Sequence, residues 1–268
     1  MSEPRGGGRK TAVISGGGGG LGSALSKQLQ EQGWQVVLLD REVSGLQISD
    51  TQLPMKCDLT DPAQLAACCE KILACFERID LVVYAAGVTT IGPVAKLSDL
   101  AHRHLFEVNY FAAVALAQAF QKALRLSQGA HLVLTSVAGF APLYQRAAYA
   151  ASKHAMAGFF GSLRAEERAF GVRVCVAAPS FVATNPEGRI DALGISPPGS
   201  AADAVDAMTP EQAATEILRG FRQGRDFVAV GRVSKLAHML NRVSPAFYQW
   251  LMARTIKGEA GEAADREA

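Results

Sequence analysis

Five consecutive glycines, Gly16 to Gly20, sit between a short β-branched run, Thr11-Ala12-Val13-Ile14-Ser15, and an amphipathic stretch from Leu21 to Gln32. Few folds accept such a run in that place. Without a Cβ the chain can turn tightly there, and its backbone can come close to a ligand. Gly33 closes the amphipathic stretch where a left-handed cap belongs, and Gln35-Val36-Val37-Leu38-Leu39-Asp40 follows as a buried strand ending in a carboxylate. Strand, glycine turn, helix, strand and acid, in that order, is the arrangement that binds a dinucleotide, with its pyrophosphate at the positive end of the helix. A solvated glycine linker would lack the flanking strand and helix. A Walker-type phosphate loop is excluded, because no Gly-Lys-Ser/Thr closes the run.

The remaining segments alternate in the same way. Asp61-Pro62-Ala63-Gln64 opens a helix that runs to about Glu77, with Asp61 capping, Pro62 first and Gln64 reaching back. Leu81 to Ala85 is a predicted strand, Ser98 to Leu126 one long helix, and His131 to Thr135 another strand. A helix carrying Tyr149 and Lys153 continues to about Phe170, before a strand from Arg173 to Ala178. Thr209-Pro210-Glu211-Gln212 opens a further helix, and Phe227 to Val230 is the last strand. Apolar strands separated by helices define the fold class as α/β, a doubly wound parallel sheet of Rossmann type. The expected organisation is a leader over 1–10, one domain over 11–230, a basic amphipathic extension over 231–257 and a polar tail over 258–268.

A chain of 268 residues accommodates one such domain. Apolar residues make up 49% and charged ones 19%, which supplies a core and argues against disorder. A net charge of +2 points to no polyelectrolyte partner, so nucleic acid is not expected. No apolar run approaches membrane-spanning length, and Met1 to Lys10 reads as neither signal peptide nor anchor. Cys57, Cys68, Cys69, Cys75 and Cys175 form no Cys-x-x-Cys pair and read as small buried hydrophobes, Cys57 and Cys175 on strands, a usage that fits a reducing cytoplasm. His102, His104, His131, His154 and His238 have no metal-ligand spacing, so no metal is expected.

Tyr149 and Lys153 lie four apart, on one helix face, with Ser136 thirteen positions upstream. A free phenol ionises near pH 10, and a neighbouring ammonium favours its ionised form and brings it towards working range. A hydroxyl arriving from another segment would hold a carbonyl oxygen beside that phenol. By itself the pair is common on solvated helices. Its weight comes from company.

With the spacing Gly16-x-x-x-Gly20-x-Gly22, the set Ser136, Tyr149 and Lys153 resembles the short-chain dehydrogenase/reductase family in its compact form, over roughly residues 10 to 230. Ser15-Gly16 stands where the family has Thr-Gly, and Asp58-Leu59 is similar to the pair that holds the adenine ring. Tyr84-Ala85-Ala86-Gly87 takes the place of Asn-Asn-Ala-Gly, and Asn109 matches the helix asparagine of the catalytic tetrad. Pro179-Ser180-Phe181-Val182-Ala183-Thr184 resembles the segment that lies along the nicotinamide. The resemblance implies an oxidoreductase moving a hydride between a nicotinamide cofactor and a ketone or secondary alcohol. It implies Tyr149 as general acid and base, Lys153 lowering its pKa and binding the nicotinamide ribose, Ser136 on the substrate oxygen, and the Asn109 carbonyl holding a relay water. The cofactor-binding set implied is Ser15, Gly16, Gly20, Leu21, Gly22, Asp40, Arg41, Asp58, Leu59, Ala86, Gly87, Tyr149, Lys153, Pro179, Val182 and Thr184. A catalytically silent nucleotide sensor of the same fold is the alternative, although loss of Tyr149 or Lys153 would be its sign and both are present.

Asp40 favours NAD, since a carboxylate accepts from a ribose 2′-hydroxyl and repels a 2′-phosphate, while Arg41 leaves NADP open. Between Asp40 and Asp58 only seventeen residues intervene, and Ser44 to Pro54 lacks a helical period, so the adenine end should be more open than is usual in the family. The expected substrate wall is Val88 to Ile91, Val137 to Tyr144 and the loop from Phe181 to about Met208; Phe140, Leu143, Tyr144 and Phe181 point to a hydrophobic substrate. From Phe227 to Gly258 there is no Asp or Glu, whereas Leu236, Met239, Leu240, Val243, Phe247, Trp250 and Leu251 recur at helical spacing interrupted by Pro245. Such a segment is expected to pack on its own domain or a partner subunit, with contact to anionic lipid the lesser alternative. Family resemblance also implies a homodimer or homotetramer.

Overall fold

β1 (Thr11–Ser15) is buried along its whole length, because its side chains feed both faces of a sheet: Val13 enters one apolar cluster while Ala12 and Ile14 enter the other. It belongs to a computed structural model of the protein that describes residues 8–199, 207–252 and 254. The glycine turn leads into α1 (Gly20–Glu31), and Gly33, at φ +82°, reverses the chain into β2 (Gln35–Asp40). β3 (Gln52–Lys56) contains Pro54, which a sheet tolerates at its edge, and β3 is the edge strand. Between β2 and β3 there is no helix, as the missing period predicts. α2 (Pro62–Cys75) starts on Asp61, whose carboxylate accepts from the Ala63 and Gln64 N–H groups.

β4 (Leu81–Tyr84) and the short β5 (Thr89–Thr90) precede α3 (Asp99–Phe106). The single helix expected over Ser98 to Leu126 is a correction. A π-helical turn over Glu107–Phe111 separates α3 from α4 (Ala112–Ser127), and the Ala112 N–H donates to the Glu107 carbonyl, five residues back. β6 (Ala130–Leu134), α5 (Ala147–Glu167) and β7 (Arg173–Pro179) follow, then the short β8 (Ile195–Ser196), which pairs antiparallel with β5. α6 (Pro210–Arg222) has a reciprocal capping box between Thr209 and Gln212. β9 (Phe227–Val230) ends the sheet, and α7 (Arg232–Val243) and a last helix over 245–252, α8, form the extension. Pro245 stands at the first turn of α8, so it opens a second helix as well as ending the first.

Seven parallel strands run in the order β3-β2-β1-β4-β6-β7-β9. On one face α2, α4 and α5 bury Ile72, Phe120 and Phe160; on the other, α1 and α6 bury Leu25 and Ile217. The strand order reverses between β1 and β4, which opens a crevice at their carboxyl ends. Two cysteine expectations need correcting: Cys57 lies just after β3 and not within it, and Cys75 is exposed because it faces out from the last turn of α2.

Candidate active site

At the crevice, the glycine turn is bare because nothing else fits. Gly16 holds φ +70°, and a Cβ on it would lie 2.7 Å from the Ala86 backbone. A Cβ on Gly22 would lie 2.1 Å from the Gly16 carbonyl oxygen, so only glycine lets α1 sit this close beneath the turn. Gly19 caps α1 without a side chain, and no acidic residue occupies the first helical turn. The N-terminal N–H groups of α1 therefore face a cavity bordered by Gly16, Gly18 to Gly20, Leu21 and Gly22. This combination of a steric cradle and an uncapped helix start fits a pyrophosphate.

Asp40 lies at the end of β2, and its Oδ2 accepts from the Gly18 N–H at 2.9 Å, which places a carboxylate beside the outer edge of the turn. Arg41 is exposed and acts on Asp58: the Asp58 carboxyl is held below its usual range first by bonds from the Thr60 hydroxyl and N–H, and to a lesser extent by Arg41 and His104. Ser15 is buried; its hydroxyl donates to the Val83 carbonyl and accepts from the Ala86 N–H, bracing the start of the turn against the loop after β4. Leu59 packs into the core beside α2. Of the sequence-predicted residues, Ser15, Asp40, Arg41, Asp58, Leu59, Ala86 and Asn109 lie outside the cavity wall.

The wall brings together Gly87, Ser136, Tyr149, Lys153, Pro179, Val182 and Thr184. Tyr149 lies in the first turn of α5, and one turn later the Lys153 ammonium sits 5.9 Å from its ring centre. Lys153 is almost fully buried; Nζ donates to the Leu134 carbonyl at 3.0 Å and lies 3.6 Å from Met156 Sδ. Burial brings its pKa down to about 8. Ser136 follows β6, and its Oγ accepts from the Ala138 N–H at 3.2 Å at the start of a 3₁₀ turn over Val137–Gly139.

Asn109, wholly buried in the π-helical turn, holds these pieces in register. Its Oδ1 accepts from the Val88 N–H at 2.8 Å, and its Nδ2 donates to the Val88 carbonyl and the Ser152 hydroxyl, both at 2.9 Å. Ser152 in turn donates to the Tyr149 carbonyl at 2.8 Å. Where the family has an asparagine, Tyr84 reaches through the core to His131, 2.6 Å from its hydroxyl to Nδ1. Burial brings the His131 pKa down to about 4 and raises that of Tyr84, so the bond joins a neutral imidazole to a protonated phenol.

The cavity has a volume of about 510 Å³, and its far wall differs from the one expected. Val137, Leu143, Phe181 and Pro197 to Gly199 line it, but Val88 to Ile91, Phe140 and Tyr144 do not. Phe140 turns instead onto Phe227 and His238, with ring centres 5.9 and 5.2 Å away, and Tyr144 is exposed. Thr89 is taken up in pairing with Ser196. In their place stand residues of the extension: Val233, Leu236, Ala237 and Leu240 of α7, and Tyr248, Leu251 and Met252 of α8. The i, i+4 spacing of Leu236 and Leu240 is the signal that could have placed α7 there. Arg146 and Arg189 also border the cavity and were not singled out by sequence. Thr184 donates to the Pro198 carbonyl at 2.5 Å, which folds the loop after β7 across the site; residues 200–206 of the expected wall lie outside the described residues.

A Rossmann-type sheet, a bare phosphate turn and a serine, tyrosine and lysine sharing one cavity define a class of nucleotide-dependent oxidoreductase folds, and comparison with known proteins agrees. The family model described as short chain dehydrogenase matches residues 10–192. Dehydrogenase/reductase SDR family member 7B of Bos taurus is 30% identical, the match covering 92% of this chain and 81% of that protein. A short chain dehydrogenase from Burkholderia cenocepacia, solved in complex with NADP, superposes with a TM-score of 0.77 at 25% identity, covering 92% of this chain and 97% of that one. A 4-hydroxyisoleucine dehydrogenase solved with NADH gives 0.61 at 28% identity, covering 65% of this chain and 74% of that one. The chain belongs to the short-chain dehydrogenase/reductase family. It is an NAD(P)-dependent oxidoreductase.

Proposed function

We propose that the protein reduces a hydrophobic ketone, or oxidises the corresponding secondary alcohol, with Tyr149, Lys153 and Ser136 as its reacting set. The observation that carries this is their convergence on one cavity with the bare glycine turn, its remaining wall largely apolar. When bound, the nicotinamide supplies or accepts the hydride. Proton handling falls to the chain. Tyr149 donates to the substrate oxygen in reduction and takes the proton back in oxidation. Lys153, a buried cation at neutral pH, favours the phenolate and would exchange its bond to Leu134 for the cofactor ribose. Ser136 uses a lone pair on the Ala138 N–H, which leaves its own O–H to donate to the oxygen as charge develops. The Asn109 backbone carbonyl would hold a water linking Lys153 to solvent.

Asp40 supports NAD as the preferred cofactor, since its carboxylate stands at the edge of the turn where a 2′-phosphate would meet like charge. Fluorescence titration with NADH and NADPH tests this, and tighter binding of NADPH would reverse the preference. Pairing of subunits through α4 and α5 is part of the same proposal, with half-exposed Phe111 ending the π-helical turn just before α4. The substrate assignment is tested by a series of methyl ketones of increasing chain length, followed by nicotinamide absorbance. kcat/KM should rise about fourfold per methylene until the cavity is filled. A flat or falling series would contradict an apolar substrate.

A further inference from the structure

We propose that the outer face of α7 and α8 docks on an anionic lipid surface, with the cavity mouth opening directly onto it. The delivery of substrate through that mouth rests on the oxidoreductase reading of the cavity; the docking does not. The extension is firmly seated. Ala237 and Tyr248 are buried against Val137 and Ala141, Ser234 donates to the Ala178 carbonyl at 2.6 Å, and Asn241 to the Phe140 carbonyl at 2.7 Å. With the inner face fixed, the outer one presents Met239, Val243, Phe247 and Trp250, between 48% and 81% exposed. Isolated exposed apolar residues are ordinary, but four on two adjoining helices form a patch. Leu236 and Leu251 are both exposed and part of the cavity wall, 53% and 38% accessible, so the cavity wall reaches the surface on the same two helices as the apolar patch.

Charge selects the occupant. Arg232, Arg242 and Arg254 are exposed around the patch, and residues 227–258 contain no Asp or Glu. Lys235 is paired with Glu216, and the Arg254 guanidinium lies 4.7 Å over the Trp250 ring. An aromatic and aliphatic face ringed by arginines suits the boundary between anionic headgroups and acyl chains. A second copy docking face to face would set arginine against arginine, with no acid of the segment to pair them. No helix among the described residues is long and apolar enough to cross a membrane, so the contact would be peripheral.

The test is flotation of the full chain with vesicles of phosphatidylcholine, with and without about 30% phosphatidylserine. Val243→Glu and Trp250→Glu, neither in the cavity wall, are the variants, and nicotinamide fluorescence titration checks that both remain folded. The wild type should float with the anionic vesicles and at least tenfold less in high salt, and either variant should lose at least tenfold in bound fraction while titrating normally. Absence of flotation on both compositions overturns the docking, as does flotation that survives both substitutions. A concentration-dependent dimer that does not float, and that the same variants dissociate in sedimentation, assigns the face to a second copy and also overturns it. If the wild type floats but fails to bind nicotinamide, the proposed site falls and the docking stands.

Discussion

Lys153→Met should make the free protein more stable while removing its activity. In the folded chain burial lowers the lysine from its ordinary 10.5 to about 8. Holding the charge at neutral pH therefore costs about 3 kcal/mol relative to the unfolded chain. Methionine fills similar space beside Met156, carries no charge and gives up the bond to Leu134, a loss of about 1 kcal/mol. The net gain is about 2 kcal/mol at pH 7, a rise of roughly 5 °C in Tm for a chain of this size. The sign with pH follows from the lowered pKa. Below 8 the lysine is protonated in both states and the cost is constant. Between 8 and 10.5 the unfolded chain keeps a proton the folded one sheds, so wild-type stability from this group rises with pH and the variant's advantage shrinks by about 1.4 kcal/mol per pH unit. Denaturant unfolding of both proteins without cofactor, from pH 6.5 to 9.5, measures the difference and cancels the thiols and phenols that titrate in the same range. A variant less stable at pH 7, or a gap that does not change with pH, would refute the reasoning.

Other expectations are as direct. Gly22→Ala should cost about 3 kcal/mol in unfolding free energy and abolish nicotinamide fluorescence quenching, because its methyl would press on the Gly16 carbonyl. Asn109→Ala should cost a similar amount, about 3 kcal/mol, by orphaning both backbone groups of Val88, and should lower kcat more than it raises KM if the asparagine sets the position of Tyr149. Arg125→Ala should lower unfolding free energy at pH 7, as denaturant unfolding would show, since it leaves the wholly buried Glu167 carboxylate with the Gln121 amide but without its charged partner. Arg125 holds the Glu167 carboxyl below its usual range, a stability present above the unfolded carboxylate pKa, so the deficit should narrow as pH falls below about 4.5.

The sheet, its glycine turn and the capped helix starts are legible in the sequence because each depends on neighbours in the chain. The break at Asn109 is not. One extra residue in a turn hardly disturbs the apolar period, and what stabilises it is a set of bonds to Val88 and Ser152, 21 and 43 residues away. The apolar face of the extension is visible as a pattern, but its contact with the cavity is decided by Ser234 and Asn241 reaching carbonyls 56 and 101 residues distant. Phe140 shows the converse: it looks like pocket wall in the sequence, yet Phe227 and His238 offer it a packed site elsewhere. Residue chemistry names the reacting groups, whereas long-range bonds decide which neighbours surround them.

Replacement of Tyr149 by phenylalanine tests the central claim most directly, since it deletes one oxygen from a buried ring and little else. With a substrate from the ketone series, turnover should fall by about two orders of magnitude or more, while nicotinamide fluorescence titration stays within a few fold of wild type. Near-native turnover in that variant would contradict the account.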